Sequence, residues 1–357
     1  MCIGFRQFQL EAGCNGPGPR QTARMQNRPS RLVLCVLLAI PVLVVGACGK
    51  PAAGGPGTAP ARLRFAVVPK GTAHDFWQSV HAGAMTAAQQ LGVDIDWQGP
   101  QPEGGREAQI GVVETFVTRK VAGILLAPVD NTALSAPVAE AKRAGVPTVV
   151  FDSNLDGAAH VSFIATDNRR GGQLAGEKLG ELLGGAGKVI VLRYTEGSAS
   201  TMAREAGCLE TLRTKFPKIE VVSDNQYAPN LDKARATADA LLLAHPQVAG
   251  VFCPNESTTL GMLLALDAVG KAGKVKFVGF DASPPLLVGL EKAQIHGLVV
   301  QDPVGMGRRG LELLVRHVRG ETVPAVENTE LVLATPENRE QPAIRALLHP
   351  DLSILRR

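Results

Sequence analysis

Two aspartates in matching surroundings give the first chemical signal. Residues 147–153 read Pro-Thr-Val-Val-Phe-Asp-Ser, and residues 275–283 read Val-Lys-Phe-Val-Gly-Phe-Asp-Ala-Ser. Each is a short apolar run, rich in β-branched and aromatic residues, that ends in Asp and then small residues. Such runs predict buried parallel strands that deliver a carboxylate, Asp152 or Asp281, at their C-terminal ends. In open α/β sheets that end is where ligands bind. The pair is therefore expected to face one cleft from opposite walls. The competing reading makes each Asp an N-cap of the next helix. Residues 69–77, Pro-Lys-Gly-Thr-Ala-His-Asp-Phe-Trp, add Phe76 and Trp77 at a strand-to-helix junction. They either line the cleft or pack at the helix start. Aromatics make up only 4% of the chain, so two in sequence stand out.

The elements that must carry these residues alternate. Strands are expected at 63–69, 93–97, 121–127, 147–152 and 161–165, with helices at 75–91, 105–118 and 133–144. A second series places helices at 171–183, 200–216, 231–244 and 258–269. Its strands fall at 188–192, 219–223, 248–253 and 275–281. A short helix at 285–292, a strand at 297–300 and a helix at 304–319 follow. Repeated strand–helix units predict parallel sheets with helices on both faces, and two series predict two similar lobes.

The totals agree. A chain of 357 residues can build two domains with sizeable cores. Hydrophobic residues at 45% and charged residues at 20% indicate a globular protein. The net charge is only +4 and no Lys/Arg run stands out, so nucleic acid is not an expected partner.

The first sixty residues read as addressing. Residues 32–48 are uncharged and mostly Leu, Val, Ile and Ala, preceded by Arg28 and Arg31 and closed by Gly46-Ala47-Cys48. A basic flank, an apolar stretch and small residues make a secretory signal. Val45-Gly46-Ala47-Cys48 resembles a bacterial lipobox, which implies cleavage before Cys48 and lipid on its sulfur. The alternatives are a transmembrane helix or ordinary signal cleavage; against a span, the run is short, contains Pro41 and leads into a linker. The expected layout is a mis-assigned extension at 1–24 with translation from Met25, a signal at 25–47, and lipidated Cys48 with a flexible linker to 61. Cys2, Cys14 and Cys35 also fall in this region. Cys208 and Cys253 remain for the fold, too few for a disulfide framework, and are expected to be small buried residues.

Two motif matches do not hold. Gly305-Met306-Gly307-Arg308-Arg309-Gly310 fits G-x-G-x-x-G, yet too little chain follows for a dinucleotide-binding unit. Close helix packing explains these glycines better. Gly184-Gly185-Ala186-Gly187-Lys188 lacks the Ser or Thr of a phosphate loop, since Val189 stands there, and leads into a strand. Nucleophile-elbow, zinc and redox motifs are missing. No metal, cofactor or catalytic residue is expected.

The series Asp75-Phe76-Trp77, Phe151-Asp152, Ala165-Thr166-Asp167-Asn168, Met202-Ala203-Arg204-Glu205, Ala244-His245-Pro246, Phe252-Cys253-Pro254-Asn255-Glu256, Val278-Gly279-Phe280-Asp281 and Val300-Gln301-Asp302-Pro303 resembles ribose-binding-type periplasmic sugar-binding proteins. These are the receptors of ABC importers, and the resemblance covers roughly residues 62–335. It implies two doubly wound parallel-sheet α/β lobes joined by a three-strand hinge, the type I periplasmic binding protein fold. Lobe one would be 62–165 plus 302–328, lobe two 166–301 plus 329–345, with a C-terminal tail at 346–357. It also implies sugar contacts from His74, Phe76, Trp77, Asp152, Arg204, Asn255, Asp281 and Gln301. Three positions depart from that pattern. Ser153 stands where an Arg is usual and His74 where an Asn is common. The aromatic expected before the 231–244 helix is missing, leaving Tyr227, Pro229 and Asn230. These departures suggest a ligand other than ribose. A charged His74 would suit an acidic sugar.

The resulting expectation is a monomeric, lipid-anchored receptor at the periplasmic side or cell surface. It would capture a monosaccharide-like ligand and deliver it to ABC permease subunits, without chemistry on the ligand. Rival readings are a sugar sensor feeding a chemoreceptor or histidine kinase, a LacI-type regulator without its DNA-binding domain, and a secreted enzyme on the same scaffold.

Overall fold

Along β1 (Arg64–Val68), Phe65 and Val67 point to one face and Ala66 and Val68 to the other, and all four are fully buried. A strand buried on both faces belongs in the middle of a covered sheet. The computed structural model, which describes residues 62–101 and 103–356, places it there. The expected extension, signal, lipidated Cys48 and linker lie outside the described residues.

The first series runs β1, α1 (Asp75–Leu91), β2 (Asp94–Trp97), α2 (Arg106–Thr118), β3 (Gly123–Leu126), α3 (Ser135–Arg143), β4 (Thr148–Phe151) and β5 (Ser162–Ala165). The second runs α4 (Asn168–Leu182), β6 (Ala186–Arg193), α5 (Ala199–Lys215), β7 (Lys218–Tyr227), α6 (Leu231–Ala244), β8 (Gly250–Phe252), α7 (Glu256–Ala268), β9 (Lys276–Phe280), α8 (Pro284–Glu291) and β10 (Gly297–Gln301). Then come α9 (Pro303–Val318), β11 (Val326–Asn328), β12 (Leu331–Ala334) and α10 (Pro342–Leu348).

The described strands form two six-stranded sheets, ordered β11-β5-β4-β3-β1-β2 and β12-β10-β9-β8-β6-β7. All pairs are parallel except β10 with β12. Each sheet has a core on both faces. In β6, Val189 and Val191 enter one core and Ile190 and Leu192 the other. The chain passes between the sheets three times: β5 to α4, β10 to α9, and β11 to β12. Two of these passages are tied together, because Thr329 N donates to Ala165 O at 2.9 Å and the Thr166 and Thr329 hydroxyls lie 3.3 Å apart. This is the expected α/β fold of two parallel-sheet lobes.

Glycines set the tightest helix contacts. A Cβ at Gly83 would collide with the Val304 carbonyl, and one at Gly307 with the Val80 carbonyl, so α1 and α9 touch through backbone. In the second lobe Gly172 meets the Arg204 carbonyl and Gly207 the Arg169 carbonyl, joining α4 to α5. Gly307 of the G-x-G-x-x-G match thus serves packing, and Gly184-Gly185 forms the turn into β6 with both φ positive.

The C-terminal segment is more ordered than a tail from 346 implies. Ile344 and Leu348 of α10 enter the core of the second lobe. A single 3-10 turn, Ser353–Arg356, then lies against α1, with Ile354 beside Met85 and Ala88. Among the described residues no helix is long and apolar enough to cross a membrane. Cys208 and Cys253 are buried free thiols, and burial pushes both above their ordinary range.

Candidate ligand-binding site

Strand order reverses beside β1 in one sheet and beside β6 in the other, which opens a crevice at the C-terminal ends of the strands. Side chains from both crevices line one cavity with about 340 Å³ of space between atoms, part of it open to solvent. All eight residues singled out from the sequence line it: His74, Phe76, Trp77, Asp152, Arg204, Asn255, Asp281 and Gln301.

Asp152 and Asp281 follow β4 and β9, and both adopt left-handed backbone, with φ of 60° and 69°. That region is uncommon for residues other than glycine and costs roughly 1–3 kcal/mol. Neither is the N-cap of the following helix, since Asp167 caps α4 and Ser283 precedes α8. Asp281 instead accepts from Glu256 N at 2.9 Å and from Gln301 Nε2 at 2.6 Å. Asp152 Oδ2 pairs with Lys70 Nζ at 2.7 Å. Burial raises the Asp281 carboxyl, against the pull of Arg204 and Gln301.

Arg204 reaches the cavity from α5 and is 2% exposed. Its Nε donates to Asn168 Oδ1 at 2.7 Å, Nη1 to Pro254 O at 2.9 Å and Nη2 to Gln301 Oε1 at 2.7 Å. The guanidinium sits 4.4 Å from the Phe280 ring centre. A guanidinium has five N–H groups, so one remains on each Nη. Asn255 caps α7 through Oδ1 and donates from Nδ2 to Ser257 at 3.0 Å.

Phe76 and Trp77 meet edge to face at 4.9 Å. Trp77 Nε1 donates to Glu103 Oε1 at 3.0 Å, while Glu103 Oε2 lies 3.0 Å from His74 Nε2. Burial alone would lower the His74 imidazole. The hydrogen bond and charge of Glu103, with Glu256 and Asp281, reverse this and raise it from 6.5 to about 9. Its positive charge is therefore already engaged by Glu103, which removes the argument for an acidic ligand. Glu256 crosses between lobes: Oε2 accepts from Phe76 N at 3.0 Å, and Oε1 lies 3.9 Å from His74 Nδ1. Burial raises its carboxyl from 4.5 to about 7, although His74 and Phe76 N pull the other way.

Sequence reasoning passed over Lys70, Glu103, Tyr194, Ser200, Thr201 and Glu256, which line the same cavity. Tyr194 follows the last residue of β6 and is 1% exposed; its hydroxyl lies near Glu103 but makes no well-formed hydrogen bond among the described residues. Tyr194 lines the cavity, whereas Tyr227, before α6, is 41% exposed under Arg193 and Asn230 caps the helix. Among the described residues no group of three or more His, Cys, Asp or Glu could hold a metal ion.

Comparison with known proteins places this geometry in context. A family model described as "Periplasmic binding protein domain" matches residues 65–322. The D-allose-binding periplasmic protein of Escherichia coli K12 is 29% identical over 282 residues, 76% of this chain and 90% of that protein. A carbohydrate-transporter solute-binding protein from Agrobacterium radiobacter, solved in complex with D-arabinose, superposes with a TM-score of 0.78 at 34% identity. That match covers 82% of this chain and all of the other. An ABC-transporter solute-binding protein from Agrobacterium vitis with bound D-fucose gives 0.77 at 32% identity, covering 80% of this chain and all of the other.

Proposed function

Because the chain belongs to the periplasmic binding protein domain family, we propose that it captures a monosaccharide between its two lobes and hands it to the permease of an ABC importer. The observation that carries this reading is one cavity in which both sheets present carboxylates, an arginine fork and aromatic rings. Phe76 and Trp77 offer apolar surface to the C–H face of a sugar ring. Asp152 and Asp281 accept hydroxyl hydrogens, and the two remaining N–H groups of Arg204 donate to ring or hydroxyl oxygens. His74, Asn255 and Gln301 complete the polar wall.

Four carboxylates (Glu103, Asp152, Glu256 and Asp281) face three cations (Lys70, Arg204 and His74) across this cavity. An acidic sugar would add a further buried negative charge, so a neutral pentose or hexose fits better. Related proteins that hold D-allose, D-arabinose and D-fucose support that class.

Residues 62–165 with 302–328, and 166–301 with 329–345, act as two bodies that close on the sugar. The ligand leaves unchanged. The receptor works outside the cytoplasm as a monomer, held to a membrane by lipid on Cys48 after removal of the signal at 25–47.

A thermal-shift screen of the full chain in detergent against pentoses, hexoses, polyols and acidic sugars tests this. A ligand at a hundred times its Kd adds about 2.7 kcal/mol. The shift should appear with a neutral sugar and vanish in Asp281→Ala and Arg204→Ala. No shift across the panel rejects the reading. Mass spectrometry of the same preparation should find lipid on a peptide that begins at Cys48.

A further inference from the structure

Lys70 lies two residues beyond β1, and its side chain is 3% exposed. Its ammonium sits 2.7 Å from Asp152 Oδ2. It also bonds Ser153 Oγ at 2.6 Å, Ser200 Oγ at 3.1 Å and Ser198 Oγ at 3.2 Å. An ammonium has three N–H groups, so these four oxygens occupy it fully and none is left for a ligand.

The acceptors are divided between the lobes. Asp152 and Ser153 follow β4, in the first sheet. Ser198 and Ser200 stand at the start of α5, which follows β6 of the second. Ser153 reinforces the seam by donating to Ser200 Oγ at 2.8 Å and accepting from Ser200 N at 3.1 Å. When the lobes part, Lys70 keeps its lobe-one partners and loses both lobe-two serines.

The same arrangement leaves the Oδ1 atom of Asp152 without a close partner. Oδ2 belongs to Lys70, while Oδ1 lies 3.8 Å from Arg204 Nη2, too far for a direct hydrogen bond. Nη2 retains one N–H. A group seated between them must donate to the carboxylate and accept from the guanidinium, and a hydroxyl does both.

We propose that Lys70 is a positioning residue that holds Asp152 with a single oxygen turned to one sugar hydroxyl, and that it ties this geometry to closure by binding Ser198 and Ser200 across the cleft. This rests on the sugar-receptor reading. The site thereby selects a neutral sugar with a free hydroxyl at that place, and it assembles fully only when the lobes meet. A sugar lacking that hydroxyl leaves a buried carboxylate and guanidinium both unpaired.

Calorimetric titration of the full chain with D-allose, D-ribose, D-arabinose and D-fucose first identifies the tightest sugar. Three variants follow: Lys70→Met, the pair Ser198→Ala/Ser200→Ala, and all three changes together. The Ser198 side chain makes no cap bond to α5, so the serine pair spares the helix start. The serine pair should weaken affinity about tenfold to a hundredfold, with the ligand-free melting temperature unchanged. The triple variant should lose less than the product of the separate losses, because the changes share the Lys70 contacts and only the Ser153–Ser200 hydroxyl bond is lost independently. Wild-type affinity in the serine pair, or a triple loss equal to the product of the separate losses, overturns the inference. If Lys70→Met does not fold, the serine pair decides alone. If wild-type protein binds none of the sugars, the receptor reading falls, and this inference with it.

Discussion

The Tyr194 hydroxyl lines the cavity near Glu103 without a well-formed hydrogen bond, and burial with the charges of Glu103 and Asp152 pushes it well above its ordinary range, so it stays a donor. A buried hydroxyl left unpaired costs about 1–3 kcal/mol. A sugar hydroxyl would remove that cost. Tyr194→Phe should therefore leave the ligand-free melting temperature unchanged or raised, and should weaken sugar affinity about tenfold. An affinity within twofold of wild type would mean that the hydroxyl faces no ligand. Asp152 and Asp281 were legible in the sequence because an apolar run stopping at a carboxylate is a local pattern. The run at 188–192 stops at Arg193, so the same rule passes over Tyr194, one residue further on, although the chain has only two tyrosines. Lys70, Glu103 and Glu256 leave no such mark. Lys70 and Glu256 take partners from the opposite lobe, and Glu103 sits in a loop whose course depends on His74 and Trp77.

Among the elements, the seam between α4 and α5 matters most to the site, because it carries Arg204. Gly172 has no room for a Cβ against the Arg204 carbonyl, and Gly307 has none against Val80. Overpacking of this kind costs about 1–3 kcal/mol or more. Both Gly172→Ala and Gly307→Ala should lower the melting temperature, and only Gly172→Ala should also weaken sugar binding, since it displaces Arg204. Equal effects on affinity would show that the seam does not set the arginine. Local signals placed helices well: the bounds read for α1 and α6 are those observed, with Gly92 in left-handed backbone closing the first. Strands fared less evenly. β7 runs to Tyr227 rather than 223, through an irregular register with β6. β11, β12 and α10 were not read as elements. β11 and β12 are three and four residues long and exist through pairing with β5 and β10, contacts that no window of sequence contains.

At the scale of the whole molecule, a lobe-spanning base and acid, His74 and Glu256, each favour the fold at lower pH, while half-buried His81, His160 and His296, lowered mainly by desolvation, oppose them below about pH 6.5. His74 is raised from 6.5 to about 9, so its contribution is fully present below pH 6.5 and lost as pH rises through about 9. Glu256 is raised from 4.5 to about 7, and its protonated form favours the fold, so that contribution fades between those values. Glu205, raised by burial to about 7, adds to the same limb. Melting temperature should therefore decline from about pH 6.5 to pH 9.5, above the range in which the lowered histidines act. Glu256→Gln should shrink the lower part of the decline and His74→Gln the upper part. A maximum near pH 8, unchanged in both variants, would contradict these assignments.

The C-terminal turn adds a non-covalent strap to the three chain passages between the lobes. Leu348 is fixed in the core of the second lobe, and Ile354 rests on α1 of the first. Six residues reach at most about 20 Å when fully stretched. The lobes are thus on a leash: any swing that asks for more slack must first peel the turn off α1. If the lobes open as proposed, wide opening and release of the C-terminus would be a single event, and a reporter fused there should register whether the cleft is occupied without touching it.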